Sequence, residues 1–281
     1  DARADLPRPA AKVATTPLGG LDRDLLAGTA IADADRRSAG SGGRFSRYDV
    51  RAGTLRALAG SGIVTDRTLL DEIVEDITHR ALTAHVVDFL DGETAVPGHV
   101  KQFMSLQTAQ DKLDLATRLD RLNEPGHDLP FGEIVRLAEV VLDADTNLDP
   151  GQVGAAGAVA GTNRVVTVTG PAGTGKTTLL KVARRALHDQ GRGMVVVAPT
   201  RKAATVAGRE IGTAASSLHA LLVDHGYRFA EDATGRTVWT RLVNGDADEV
   251  TGVVYSGPRR YPIRPGDRIV VDEGGMVDLQ L

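Results

Sequence analysis

One stretch of this chain has the residue types and spacing to hold a chain of phosphates. Gly170-Pro171-Ala172-Gly173-Thr174-Gly175-Lys176-Thr177 fits the pattern G-x-x-x-x-G-K-[ST]. Glycines let the backbone curl until successive N–H groups face phosphate oxygens, and the helix that follows adds the partial positive charge of its N-terminus. In that arrangement Lys176 holds the β- and γ-phosphates of ATP and Thr177 holds a magnesium ion. Gly170, Gly173, Thr174, Gly175 and Thr178 complete the expected nucleotide contacts. A chance glycine-rich turn is the competing reading. The apolar run Arg164–Thr169, expected as a strand, and the helical pattern Thr177–Leu187 count against it, because a phosphate loop joins a strand to a helix.

A metal held by one hydroxyl needs a second protein ligand. Arg268-Ile269-Val270-Val271-Asp272-Glu273 supplies one, as an apolar run ending in two acids. Asp272 is expected to hold magnesium and Glu273 to act as general base on the attacking water. Alone, such a pair would read as a solvated turn. Gln152 sits in the first turn of a helix whose N-cap and first residue are Asp149 and Pro150. Its amide can both donate to and accept from an adenine edge, and an exposed helix-start glutamine is an equal alternative. Thr200, with Arg201 and Lys202, follows a second β run, at the strand end where parallel sheets place ligands; solvated surface charge is the commoner fate of such a basic pair. His219 follows Ser216-Ser217, serines suited to capping, and on residue type alone reads as a structural histidine.

The elements that must position these groups divide the chain in character. From Asp149 onward, short β-branched runs at Val165–Val168, Val195–Val197 and Ile269–Val271 alternate with helical segments. That alternation predicts an α/β parallel sheet covered by helices. Tyr227–Pro265 is turn-rich and is expected as a hairpin-like insertion, with Trp239 and Tyr255 packing it onto the core. Earlier, helical periodicity predicts Asp66–Arg80 behind a Thr65 cap, a helix from Ser105 to Leu122, and Phe131–Leu142. These make a mainly helical domain over residues 48–147. Residues 1–47 read as an extended or weakly ordered lead-in, and 148–281 as the P-loop domain with its 227–265 insertion.

Composition excludes several classes. Without cysteine there are no disulfides and no thiolate-held zinc, a pattern that suits the cytoplasm. No apolar run approaches the roughly 20 residues of a membrane span. Residues 1–149 carry 17 basic and 25 acidic side chains, and residues 150–281 carry 16 and 12. A nucleic-acid partner is therefore expected on the second part, although so small an excess does not by itself argue for one.

In their order, these motifs resemble the first half of a RecD-like superfamily 1 helicase, most closely the helicase region of TraI/TrwC-type conjugative relaxases. Five segments carry the likeness: Leu148-Asp149-Pro150-Gly151-Gln152, the P-loop, Ala198–Ala204, Ser217–Leu222, and Asp272-Glu273-Gly274-Gly275-Met276-Val277-Asp278. Gly274 departs mildly from the family's usual residue. The resemblance implies a P-loop RecA-like fold and ATP-driven 5′ to 3′ movement on single-stranded DNA. It makes Gln152 an adenine contact and Thr200, Arg201 and His219 single-stranded DNA contacts, and it brings in other conjugation proteins as partners. Because the sequence ends three residues after Asp278, the expectation is a fragment that binds nucleotide but hydrolyses it poorly and does not unwind DNA.

Overall fold

The computed structural model describes residues 17–93, 96–171 and 173–274. They fall into two units, Asp1–Asp111 with Glu231–Val238, and Lys112–Ala230 with Trp239–Leu281.

The first unit is built on α1 (Arg23–Arg37), α2 (Arg47–Ser61) and α3 (Arg67–Ala84), followed by β1 (Val86–Asp88) and β2 (Phe103–Ser105) paired antiparallel. Each helix starts on a side chain that accepts an otherwise unsatisfied N–H: Asp22 from Leu25, Ser46 from Asp49, and Asp66 from Leu69. The third of these corrects the expected Thr65 cap by one residue. The lead-in expected over residues 1–47 is also corrected, since Arg23–Arg37 is a helix; residues 1–16 lie outside the described residues. The buried stripe of α1 is Ala27, Ala30, Ile31 and Ala34, at helical spacing. Written mostly in alanine, it is easily passed over when periodicity is sought in larger side chains. Ala27, Ile31 and Ala34 share a core with Val50, Leu58, Ile73, Val74 and Ile77. At Gly53 an added Cβ would stand 2.6 Å from the Ala30 carbonyl oxygen, so α1 and α2 meet backbone to backbone there. Ser105 starts α4 (Leu106–Leu122) by accepting the Thr108 N–H at 3.0 Å.

The P-loop unit contains α5 (Phe131–Val141), α6 (Pro150–Ala160), α7 (Lys176–Asp189), β3 (Met194–Ala198), α8 (Arg201–Ile211), β4 (Ala214–Ser217), α9 (Leu218–Asp224) and β7 (Arg268–Val271), with the first four residues of β5 (Tyr227–Glu231) and the last three of β6 (Thr237–Arg241). Strands β4, β3 and β7 form a parallel sheet in that order, with Val196 opposite Ala215 on one side and Val270 on the other. Val196, Val182 and Leu187 are fully buried, in one core with Ile134 of α5 and Val153 of α6. Parallel strands need helical crossovers and are covered on their faces, which is why β3 is buried at all five positions. This is a P-loop RecA-like α/β fold with a helical region before it. The domain division differs from the expected boundary near residue 148, because α5 packs into the P-loop core.

Arg164–Thr169 is a further correction. Val166 and Val168 pack against the core, yet among the described residues no backbone hydrogen bond joins this run to another strand. A cavity of about 480 Å³ lies between it and β7. The turn-rich insertion is tied down by acids. The Asp224 carboxylate accepts the N–H groups of Arg259, Arg260 and Tyr261, and buried Asp248 pairs with Arg228 while accepting from Val250 and Thr251. Trp239 meets His219 edge-on and Phe229 at a tilt, and the Tyr255 hydroxyl donates to the Asp224 carbonyl.

Candidate nucleotide site

The phosphate loop leads directly into α7. Its N-cap position, Gly175, has φ 70° and no side chain to cap the helix, so the first-turn N–H groups of α7 are left for another acceptor. Gly173 also lies in the left-handed region, at φ 77°. The Lys176 ammonium donates to the carbonyl oxygens of Gly170 at 2.7 Å and Pro171 at 2.9 Å, folding back over its own loop. Thr174 closes the turn by donating to the Pro171 carbonyl at 2.8 Å. Ala172 lies outside the described residues. Thr177 and Thr178 fall in the first turn of α7.

The two acids arrive from the sheet. The Asp272 N–H bonds the Val197 carbonyl at 2.8 Å, extending the parallel ladder one residue past β7. The Asp272 carboxylate accepts the Glu273 N–H at 3.0 Å. Glu273 has φ 54°, the one non-glycine among the described residues in the left-handed region. Lys176, Gly170, Asp272 and Glu273 all line the cavity of about 480 Å³. Thr177, Thr200, Lys202, Asp272 and Glu273 line an adjoining one of about 360 Å³. The acids therefore border both spaces, one shared with the lysine and the other with the threonine hydroxyl.

Magnesium suits this donor set. Among the described residues no group of three or more His, Asp or Glu side chains converges as a cage. A hard cation that keeps several waters and is otherwise bound by phosphate oxygens needs only one or two protein oxygens, and Thr177 and Asp272 offer a hydroxyl and a carboxylate to the same cavity.

The remaining expected contacts are dispersed. Gln152 closes a capping box with Asp149, and its side-chain N–H also donates to the Thr174 carbonyl at 2.9 Å. Thr200 caps α8 by accepting the Ala203 N–H at 3.1 Å, and Arg201 is exposed at the start of the same helix. His219 is not with them: it lines a separate cavity of about 500 Å³ with Arg228, Tyr255 and Tyr261, and its ring stands edge-on to Phe229 at 5.0 Å. Lys202, more readily taken for surface charge, borders the cavity of Thr177 and Asp272. The signal for it was its place at the carboxyl end of a parallel strand.

Residues 147–281 match the family model described as an AAA domain. The match spans the phosphate loop, both acids and the sheet between them. A 58-residue stretch is also 45% identical to the ATP-dependent DNA helicase dda of Enterobacteria phage T4. That stretch covers 20% of this chain and 13% of the relative. The matched part is thus the part that holds Lys176, Thr177, Asp272 and Glu273.

Proposed function

We propose that this chain carries the ATP-binding half of a DNA-translocating motor of the superfamily 1 helicase type. The observation that carries the reading is the convergence of Lys176, Thr177, Asp272 and Glu273 on two adjoining cavities at the carboxyl end of the sheet. The AAA-domain match and a relative named as an ATP-dependent DNA helicase support it. The open first-turn N–H groups of α7 receive the phosphates, and Lys176 exchanges two neutral carbonyl partners for charged phosphate oxygens, a stronger hydrogen bond. Thr177 and Asp272 would hold magnesium, which would supply positive charge to offset that of the phosphates. Glu273 orients the attacking water and takes its proton. Gln152 meets the adenine edge.

In this proposal Thr200, Arg201 and His219 contact single-stranded DNA. The likeness to conjugative relaxases in motif order extends the reading to 5′ to 3′ movement, a cytoplasmic setting and other conjugation proteins as partners.

The test measures MgATP binding and ATP turnover with and without an oligothymidine strand, in this chain and in the protein continued through the later helicase motifs. Lys176→Ala is expected to weaken MgATP binding at least about tenfold, the loss of a charged phosphate contact, and DNA is expected to raise turnover in the longer protein. Binding that ignores Lys176→Ala would sink the nucleotide site. Turnover that ignores DNA would instead point to an ATPase acting on protein partners.

A further inference from the structure

We infer that Gln152 is a positioning residue for the phosphate loop, in addition to any contact it makes with a base; the inference rests on the nucleotide-site reading above. Its side-chain carbonyl accepts the Asp149 N–H at 2.9 Å, completing the capping box of α6. Its side-chain N–H donates across 22 residues of sequence to the Thr174 carbonyl at 2.9 Å, inside the loop. The same amide lies over Gly175, where an added Cβ would stand 2.6 Å from the Gln152 nitrogen. One side chain therefore joins the first turn of α6 to the two residues just before Lys176.

What makes this bond a latch is that α6 is fixed at its far end. Arg192 donates to the carbonyls of Ala160 and Gly161, and Arg268 donates to those of Val159 and Gly161. These are the terminal carbonyls that a helix cannot satisfy internally. The two arginines flank the sheet, one just ahead of β3 and the other opening β7. Helix α6 thus runs as a strut from the sheet to the phosphate loop, and Gln152 is its contact at the loop end. With the Thr174 carbonyl drawn toward α6, the Thr174–Gly175 peptide is held in one orientation before any phosphate arrives. Ordering the loop in advance removes an entropy cost from binding. A primary amide has a second N–H and a second carbonyl lone pair, so the latch leaves one of each for an adenine edge.

A base contact and a latch differ in what they do to a ligand with no base. The experiment titrates magnesium tripolyphosphate, MgATP and MgGTP calorimetrically into the wild-type chain, Gln152→Met and Gln152→Glu, with thermal melting of each variant alongside. Methionine is neutral and removes both bonds. Glutamate keeps the capping acceptor, which suits this helix position, and removes only the donor to Thr174. The expected result is that tripolyphosphate affinity falls about fivefold or more in both variants, the worth of a hydrogen bond of ordinary strength. MgATP and MgGTP should lose at least as much.

Unchanged tripolyphosphate binding overturns the inference, whether MgATP alone weakens, meaning a base contact only, or melting alone shifts, meaning a helix cap only. Loss in methionine alone assigns the effect to the cap and loss in glutamate alone to its added charge, and either overturns the latch. If the wild-type chain binds none of the three ligands, the nucleotide-site reading itself falls. A wild type that binds all three beside variants that bind equally well removes only the latch.

Discussion

Glu273 is where the chemistry and the backbone make opposing demands. A side chain in the left-handed region costs about 1 kcal/mol or more, and Glu273 adopts it directly after Asp272, whose N–H makes the last ladder bond, to Val197. That geometry turns two successive acids toward the cavities shared with Lys176 and Thr177. If Glu273 takes the proton of the attacking water, Glu273→Gln should bind MgATP as the wild type does while ATP turnover falls about a hundredfold or more. Binding titrations beside turnover measurements separate these two quantities. A glutamine variant with wild-type turnover would move the base elsewhere. Residue type and spacing marked Lys176, Thr177, Asp272 and Glu273 as candidates, and the structure brings them to two cavities. The Gln152–Thr174 bond was not legible in the same way, since nothing in a glutamine or a backbone carbonyl 22 positions away marks them as neighbours.

At the level of elements, two glycines of α2 show how context sets the sign of one substitution. A Cβ on Gly53 would strike the Ala30 carbonyl at 2.6 Å, whereas nothing stands within 4 Å of one on Gly60, which is exposed. Gly53→Ala should force α1 and α2 apart and cost about 1–3 kcal/mol, the usual range for overpacking. Gly60→Ala should stabilise by about 0.5 kcal/mol, through helix propensity and a less flexible unfolded chain. Urea denaturation of both variants decides the matter, and equal effects would contradict the close approach of the two helices. Most helices that bury large aliphatic side chains were legible, including α3, α5 and α7. Helices α1 and α2 were not, because alanine, glycine and threonine stand beside Ile31, Val50 and Leu58 on their buried faces and dilute the apolar signal.

For the molecule as a whole, acid is the telling variable. Hydrogen bonds from Arg51 lower the Glu75 carboxyl, and those from Arg23 lower Asp76. Burial opposes the charge of Asp224, yet the N–H groups of Tyr261, Arg259 and Arg260 more than offset it. Arg228, then the Thr251 N–H, holds Asp248 down at about 2, against an ordinary 3.8. Each of these groups binds its proton more weakly in the folded chain than in the unfolded one. Their contribution is therefore present above the ordinary carboxylate range and is lost as pH falls through it. For Asp248 the loss runs from about pH 4 toward pH 2. Melting temperature should fall steadily from pH 6 to pH 2.5, and less steeply in Asp248→Asn, which starts lower. An identical slope in that variant would remove Arg228–Asp248 from the account.

The sequence by itself determined the phosphate loop, the paired acids, the parallel α/β class and the helix starts at Ser105 and Asp149, because each follows from contacts between residues close along the chain or from a repeating pattern of side chains. Only the tertiary structure decided that Arg164–Thr169 lies against the core with no strand partner among the described residues, that α5 joins the P-loop core, and that one glutamine bridges α6 to the loop. Each of these depends on which distant backbone groups come within hydrogen-bonding or packing distance, and no local propensity encodes that.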